Sequence, residues 1–344
     1  MNSITFTCEV VTPMFLAGAD GTKSELRSPS IKGAMRFWWR AMHGHLPIDD
    51  KKDGDRNIIQ KGLRTQEAEI FGGGGDDARR SGVIIKTSHP SLDVTFNRFP
   101  DAPYGVFAKG RRRDINLLEY LAYGPVVYDK TANSNIISRP YIRVGQKFDI
   151  SLSYRDDKWK NELLYCLLFI SVFGGIGARA RNGYGRMTLV GINDVMGEAR
   201  VSDVIRKFKT GCRSEYTSFS KDLRLFGLKN QAETWNEALY ELAKAYKVGR
   251  ESLDEPHYGE NRQYIASPLM IDGVNKSFLG RHAKQYFFGV EKQAQKYNGF
   301  LLFMPYQFVQ NSGVSSLPAD ALSNYDRVTK DMNSVLENEL VSMV

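Results

Sequence analysis

Residues 173–187 read FGGIGARARNGYGRM, and the placement of this glycine–arginine stretch decides the fold. Gly175-Ile-Gly177-Ala-Arg-Ala180 satisfies a relaxed dinucleotide-binding fingerprint. That fingerprint works only between a strand and a following helix, whose N-terminus meets the pyrophosphate. Here the order is reversed. The preceding run, KWKNELLYCLLFISVF (158–173), is long and continuous enough for a buried helix. Behind it, Asn182-Gly183-Tyr184-Gly185 stops a second helix, and YGRMTLVGI reads as a strand. The stretch is therefore a helix-to-strand loop. Gly175 and Gly177 permit positive φ and close approach to a ligand. Turns of this kind present backbone N–H groups as anion nests. Arg179, Arg181 and Arg186 add cationic forks suited to phosphate, and Tyr184 adds a ring for base stacking. These residue types fit a nucleic-acid backbone and fit equally a glycine-rich turn with solvated arginines.

The opening segment alternates strictly. Ile4, Phe6, Cys8 and Val10 share one face and Thr5, Thr7 and Glu9 the other, as in a half-buried strand that ends at Thr12-Pro13. After the loop FLAGADGTKSELR (15–27), SPSIKGAMRFWWRAMHGH (28–45) predicts a helix with Ser28 as N-cap, Pro29 at its first position and Gly44 as its stop. Ile31, Met35, Trp38 and Met42 form its apolar stripe. Lys32, Arg36, Arg40 and His43 line another flank, with Trp39 at the border, placed either to stack on a base or to pack between domains.

GVIIKTS (82–88) and DVTFNRF (93–99) are strand-like, and Phe148, Ile150, Leu152 and Tyr154 alternate as a further strand. Residues 46–80 and 100–145 read as irregular insertions. The first holds Gly72–Gly75 without the Lys-Ser/Thr of a P-loop, and DDKKDGD (49–55), where Lys51 falls at a position a calcium loop needs for an oxygen ligand. The second carries the densest basic cluster of the chain, Lys109, Arg111, Arg112 and Arg113.

Residues 1–195 thus predict strand, helix, strand or hairpin, strand, helix, strand. That is an α+β fold of the ferredoxin-like, split βαβ kind: a four-stranded antiparallel sheet with both helices on one face. Residues 196–344 predict a degenerate second copy, with helices over 231–248 and 318–340, strands over 264–274 and 299–308, and a missing last strand.

Lys and Arg total 47 against 39 Asp and Glu, a net charge of +8 that permits a polyanionic partner without requiring one. Cys8, Cys166 and Cys212 form neither a disulfide framework nor a CxxC zinc pair, which suits a reducing cytoplasm. MNSITFTCEVV lacks the features of a secretory signal. The longest apolar run, Leu163–Phe173, falls short of the ~20 residues that span a bilayer. The expectation is a cytoplasmic protein with no membrane contact, no cofactor and no metal.

The order of elements, with SIKGAMRFWWRA on the first helix and the glycine-rich loop late in the domain, resembles the RAMP superfamily of CRISPR–Cas proteins. ELRSPSIKGAMRFWWRAM followed by EAEIFGG is similar to the first-numbered RAMP subunits of type III-B (Cmr) effector complexes. The resemblance covers about residues 1–195 and continues weakly through RQYIASPLMI and FFGV. It implies two ferredoxin-like domains and a non-catalytic subunit near the 3′ end of a CRISPR guide RNA. Such a subunit helps capture target RNA alongside other RAMP subunits, in antiviral defence. Lys32, Arg36, Arg179 and Arg181 match the family's basic positions. Trp39, Arg40, Gly175, Gly177, Tyr184, Arg186 and the cluster Lys109, Arg111, Arg112 and Arg113 complete the candidate RNA-binding set. The loop should lie beside the Lys32–Arg36 helix.

Two other expectations compete. Relatives of this fold include metal-independent ribonucleases, and His43, His45 or Asp20 would be the acid–base candidates here. A purely structural capping subunit would instead present the same basic surface to a protein neighbour.

Overall fold

A computed structural model describes residues 1–18, 20–54, 58–75, 78–108, 111–192, 201–253, 261–266, 270–271, 274–275, 279, 282, 284–307 and 319–344. The first half is organised on four antiparallel strands, β1 (Asn2–Val10), β2 (Val83–Ser88), β3 (Lys147–Tyr154) and β4 (Met187–Leu189). Their spatial order is β4-β1-β3-β2. Helix α1 (Ser28–Met42) follows β1, and helix α2 (Lys160–Phe169) follows β3. Arg27, not Ser28, is the N-cap of α1.

The alternation read from the sequence sets the register. Phe6 faces Ile150, Cys8 faces Phe148, and Ile85 faces Leu152. These inward residues join Ile31, Met35, Trp38 and Met42 of α1 and Leu163 and Leu167 of α2 in one apolar cluster. Burying such side chains is the main favourable term, at ~25 cal/mol per Å² of apolar surface. The opposite face of the sheet is polar: the Thr5 and Ser151 hydroxyls are 2.8 Å apart, and Thr7 donates to Asp149 at 2.9 Å.

The second half repeats the connectivity. Its strands are β5 (Arg224–Gly227), β6 (Tyr286–Gln293), β7 (Lys296–Phe303) and β8 (Val341–Ser342), in the order β6-β7-β5-β8. Helix α3 (Trp235–Glu251) follows β5, and α4 (Ala321–Glu339) follows β7. A capping box between Thr234 and Glu237 starts α3. The chain is therefore α+β in both halves.

Several local expectations are corrected. The last strand of the second half is present, with Val341 opposite Gly227. β6 shows no alternation in the sequence because its first five residues are all buried. Among the described residues, YIASPLMIDGV contributes only Met270–Ile271 and Val274, which pair in a two-stranded ribbon completed by Asn275. DVTFNRF contributes only Val94–Thr95, paired with Tyr141–Ile142. The 100–145 region is regular: a hairpin (Pro103–Ala108 with Arg111–Asn116), a short helix (Leu117–Leu121) and a second hairpin (Val126–Asp129 with Ser134–Ile137).

The expected boundary at 195/196 lies outside the described residues. The two apolar clusters do not follow it. The first takes in Leu225, Phe287 and Leu302 from the second half. The second joins Phe15, Phe99, Leu118 and Tyr184 to Leu239, Leu242 and Met332. Lys292 of β6 pairs with Glu9 of β1 at 2.6 Å, tying the two sheets together.

Candidate nucleic-acid interface

The basic flank of α1 is largely neutralised. Glu67, on the helix Leu63–Phe71, is 6% exposed and accepts from Arg40 at 2.9 Å and also from Arg36. Lys32 donates to Ser81 at 2.8 Å, and burial followed by the Arg36 charge pulls its ammonium below the usual lysine range. Trp39 is not an open stacking surface. Its ring is buried and stacked on His43 at 4.0 Å, and its Nε1 donates to Glu162 at 2.6 Å.

The glycine loop lies between helix and strand, as read. α2 runs into a π-turn (Ile170–Gly174), and Gly175 then takes φ +64°. Gly177, at φ +97°, packs so closely that a Cβ there would sit 2.3 Å from the Phe15 carbonyl oxygen. These glycines serve packing against residues 15–16 and 184–185. The expected anion nest is mostly spent internally: Ile176 N–H donates to Gly185, Ala178 N–H to Phe15, and Gly185 N–H to Pro13.

Tyr184 is fully buried, packed 5.6 Å from Phe15 and 5.4 Å from Phe99, and donates to the Leu118 carbonyl at 2.6 Å. It anchors the 100–145 region and offers no free ring. Arg186 is also fully buried. Its Nη2 donates to the Ala180 carbonyl at 3.1 Å, while Nε and Nη1 have no hydrogen-bond partner among the described residues. Burial alone pushes its guanidinium down to about 9.

Arg179 and Arg181 behave differently. Both line a cavity of about 1540 Å³ together with Arg98, Arg113, Arg250 and Lys284. Arg179 adopts the left-handed conformation at φ +62° and is exposed. Arg181 lies 4.8 Å over the Phe287 ring and 5.4 Å over Phe37, and donates to the Lys284 carbonyl at 2.9 Å. Lys284 donates to Asn182 at 2.5 Å. Burial, then the charges of Arg250, Arg181, Arg179 and Arg186, hold its ammonium well below the usual range. Burial likewise lowers Arg179 and Arg181. No carboxylate forms an ion pair with any of these three cations among the described residues. Of the two acids in the wall, Glu119 is buried and engaged by Arg98 at 3.3 Å and Asn135 at 2.8 Å. The cavity is a concentration of unbalanced positive charge, the condition that attracts a polyanion.

The structure thus joins Arg113 of the basic cluster to the glycine loop, and excludes Lys32, Arg36 and Arg40 from that wall. The loop does lie beside α1, as expected, but it meets that helix through Phe37 and Trp38 and not through Lys32 and Arg36. Arg111 and Arg112 are exposed on the hairpin, and Lys109 lies outside the described residues. Arg98, Arg250 and Lys284 were not singled out by the sequence, since single cations far apart carry no local pattern. Tyr120 also lines the cavity. Burial works to raise its hydroxyl, but Arg250, Lys247 and Arg262 outweigh it and bring it below the usual range. Among the described residues, no cluster of three or more His, Cys, Asp or Glu could hold a metal. No described helix is long and apolar enough to cross a membrane.

Comparison with known proteins agrees with this architecture. Among curated proteins, the chain is 28% identical over 199 residues to "CRISPR system Cmr subunit Cmr1-2" of Pyrococcus furiosus, covering 56% of this chain and 97% of that one. It is 28% identical over 166 residues to "CRISPR system Cmr subunit Cmr1-1" of the same organism, covering 48% of this chain and 41% of that one. The crystal structure of apo Cmr1 from Pyrococcus furiosus shares the fold, with a TM-score of 0.57 at 18% identity over 100% of this chain and 98% of that one. The model of the RAMP superfamily matches residues 7–188, from the first strand through the glycine loop into β4. With more than half of its 344 residues matched in this way, the chain belongs to the RAMP superfamily.

Proposed function

We propose that the chain is a non-catalytic RNA-binding subunit of a type III-B CRISPR effector complex, acting in the cytoplasm in antiviral defence. In this reading each half is a ferredoxin-like unit. The subunit sits near the 3′ end of the guide RNA, beside other RAMP subunits, and helps capture target RNA. It holds RNA by phosphate and sugar, while base pairing between guide and target reads sequence. The observation that carries the reading is the unbalanced cation cluster of Arg179, Arg181 and Lys284 on one cavity wall. The relatives' names, subunits of a CRISPR Cmr system, support the assembly.

Two of the three acid–base candidates of the nuclease alternative, His43 and Asp20, favour binding over cleavage by their surroundings. His43 bonds through Nδ1 to the Trp39 carbonyl at 2.8 Å, and burial lowers its pKa. Asp20 is occupied by the Thr22 and Lys23 amides of its own turn. None of His43, His45 and Asp20 lines the cavity.

The test is RNA affinity of the full chain across a salt series. Log K should fall linearly with log salt, and Arg179→Ala with Arg181→Ala should flatten the slope by about two. An unchanged affinity and slope in that variant overturns the assignment.

A further inference from the structure

Two aromatic rings on the cavity wall are used by nothing described above. Tyr123 is 71% exposed and Tyr128 58% exposed, and both line the cavity. The other tyrosines in that wall, Tyr120 and Tyr246, are held inside it: Tyr120 takes a hydrogen bond from Arg250 at 2.7 Å, and Tyr246 is buried. Scattered exposed aromatics need no explanation, but two open rings beside unbalanced guanidinium groups do.

From this juxtaposition we propose that Tyr123 and Tyr128 form a stacking platform for unpaired bases, so that the cavity takes single-stranded RNA and not a duplex. The proposal rests on the reading of the cavity as an RNA surface. A paired base hides both π-faces in the helix stack, and only an unpaired one can lie on a protein ring. The phosphate ligand is adjacent. The Arg179 guanidinium feels the Tyr123 hydroxyl and lies against Gly124, where an added Cβ would come within 2.8 Å of Nη2.

The platform is also preorganised. Tyr128 is on the hairpin Val126–Asp129/Ser134–Ile137, and its hydroxyl donates to Asn133 at 2.5 Å. Tyr123 follows the short helix Leu117–Leu121, whose carbonyls are held by the glycine loop. Tyr184 donates to Leu118 and Asn182 donates to Leu121, each at 2.6 Å. Glu119 of that helix is bonded to Asn135 of the hairpin at 2.8 Å. Rings and arginines are thus fixed to one frame, so little ordering cost remains when a strand enters.

The experiment compares binding of an unstructured oligouridylate, the same oligomer carrying abasic sites, and an A-form RNA duplex by the full chain. The proteins are wild type, Tyr123→Ala/Tyr128→Ala and Tyr123→Phe/Tyr128→Phe. The alanine pair should weaken oligouridylate binding roughly 10-fold to 100-fold with the salt slope intact, and the phenylalanine pair should restore it. Wild type should hold the abasic oligomer and the duplex as weakly as the alanine variant holds oligouridylate. If the alanine pair binds oligouridylate like wild type while salt dependence persists, the platform is overturned and the RNA surface stands. If wild type binds none of the three with salt dependence, the RNA reading falls and the platform with it. Equal affinity for duplex and single strand also overturns it.

Discussion

Arg40 donates to Glu67 at 2.9 Å, so a cation that the sequence offers to RNA is held by a carboxylate that is 6% exposed. Arg36 shares the same oxygen. Arg36→Ala with Arg40→Ala leaves Glu67 buried without its partners and should destabilise the fold by about 1–3 kcal/mol. RNA affinity should stay at the wild-type value, because neither arginine lines the cavity. Urea unfolding and RNA titration on the same variant check both halves. A loss of RNA binding matching that of the Arg179/Arg181 variant would return the site to the α1 flank.

Arg186 is charged, buried and short of partners, and Arg186→Met should stabilise the chain by about 1–3 kcal/mol at neutral pH. The sign of its pH dependence follows from the lowered pKa. The folded value is about 9, well below that of an arginine in the unfolded chain. Below 9 both states carry the proton and the burial penalty is constant. Above 9 the unfolded state binds more protons, so wild-type stability gains relative to the variant. The difference in Tm between the two proteins should therefore be largest below pH 9 and shrink as pH rises beyond it. A difference that grows with pH refutes this account.

Lys284 predicts proton-linked RNA binding. Its ammonium is lowered by burial and by surrounding arginines, and a phosphate in the cavity would favour the charged form. Binding should then take up a proton, and affinity should rise as pH falls. Calorimetry in buffers of different ionisation enthalpy measures the uptake. Lys284→Met should abolish it and leave the Arg179 contribution in place.

Gly177→Ala and Gly33→Ala should have opposite signs. At Gly177 an added methyl meets the Phe15 carbonyl at φ +97°, a cost of at least about 1–3 kcal/mol that should also displace Arg179 and weaken RNA binding. Gly33 lies within α1 with open space around it, and alanine there should gain ~0.5–1 kcal/mol. Thermal melts of the two single variants decide the matter.

What the sequence made legible was local and periodic. The stripe Ile31, Met35, Trp38 and Met42 is buried as its spacing implies, and Phe148, Ile150, Leu152 and Tyr154 alternate into the core. The placement of the glycine loop after a helix was equally readable. What stayed hidden depends on distant pairing. Glu67 meets Arg36 from 31 residues away, and Tyr184 reaches Leu118 across 66. Both contacts turn chemically suggestive residues into structural ones. Residue type marked Arg179 and Tyr184 alike, and only the fold separates an exposed guanidinium from a ring sealed in the core.

The shared second core has a consequence for how the chain is made. Phe15 and Tyr184 complete a cluster whose other walls include Leu336 and Leu340. During vectorial synthesis the N-terminal residues must wait for the last helix to leave the ribosome before that core can close. Until then the aromatic group around Phe15, Phe99 and Tyr141 is a sticky, unfinished surface. Nascent chains stalled before α4 should be protease-sensitive in the glycine loop, although its own strand and helix were translated long before.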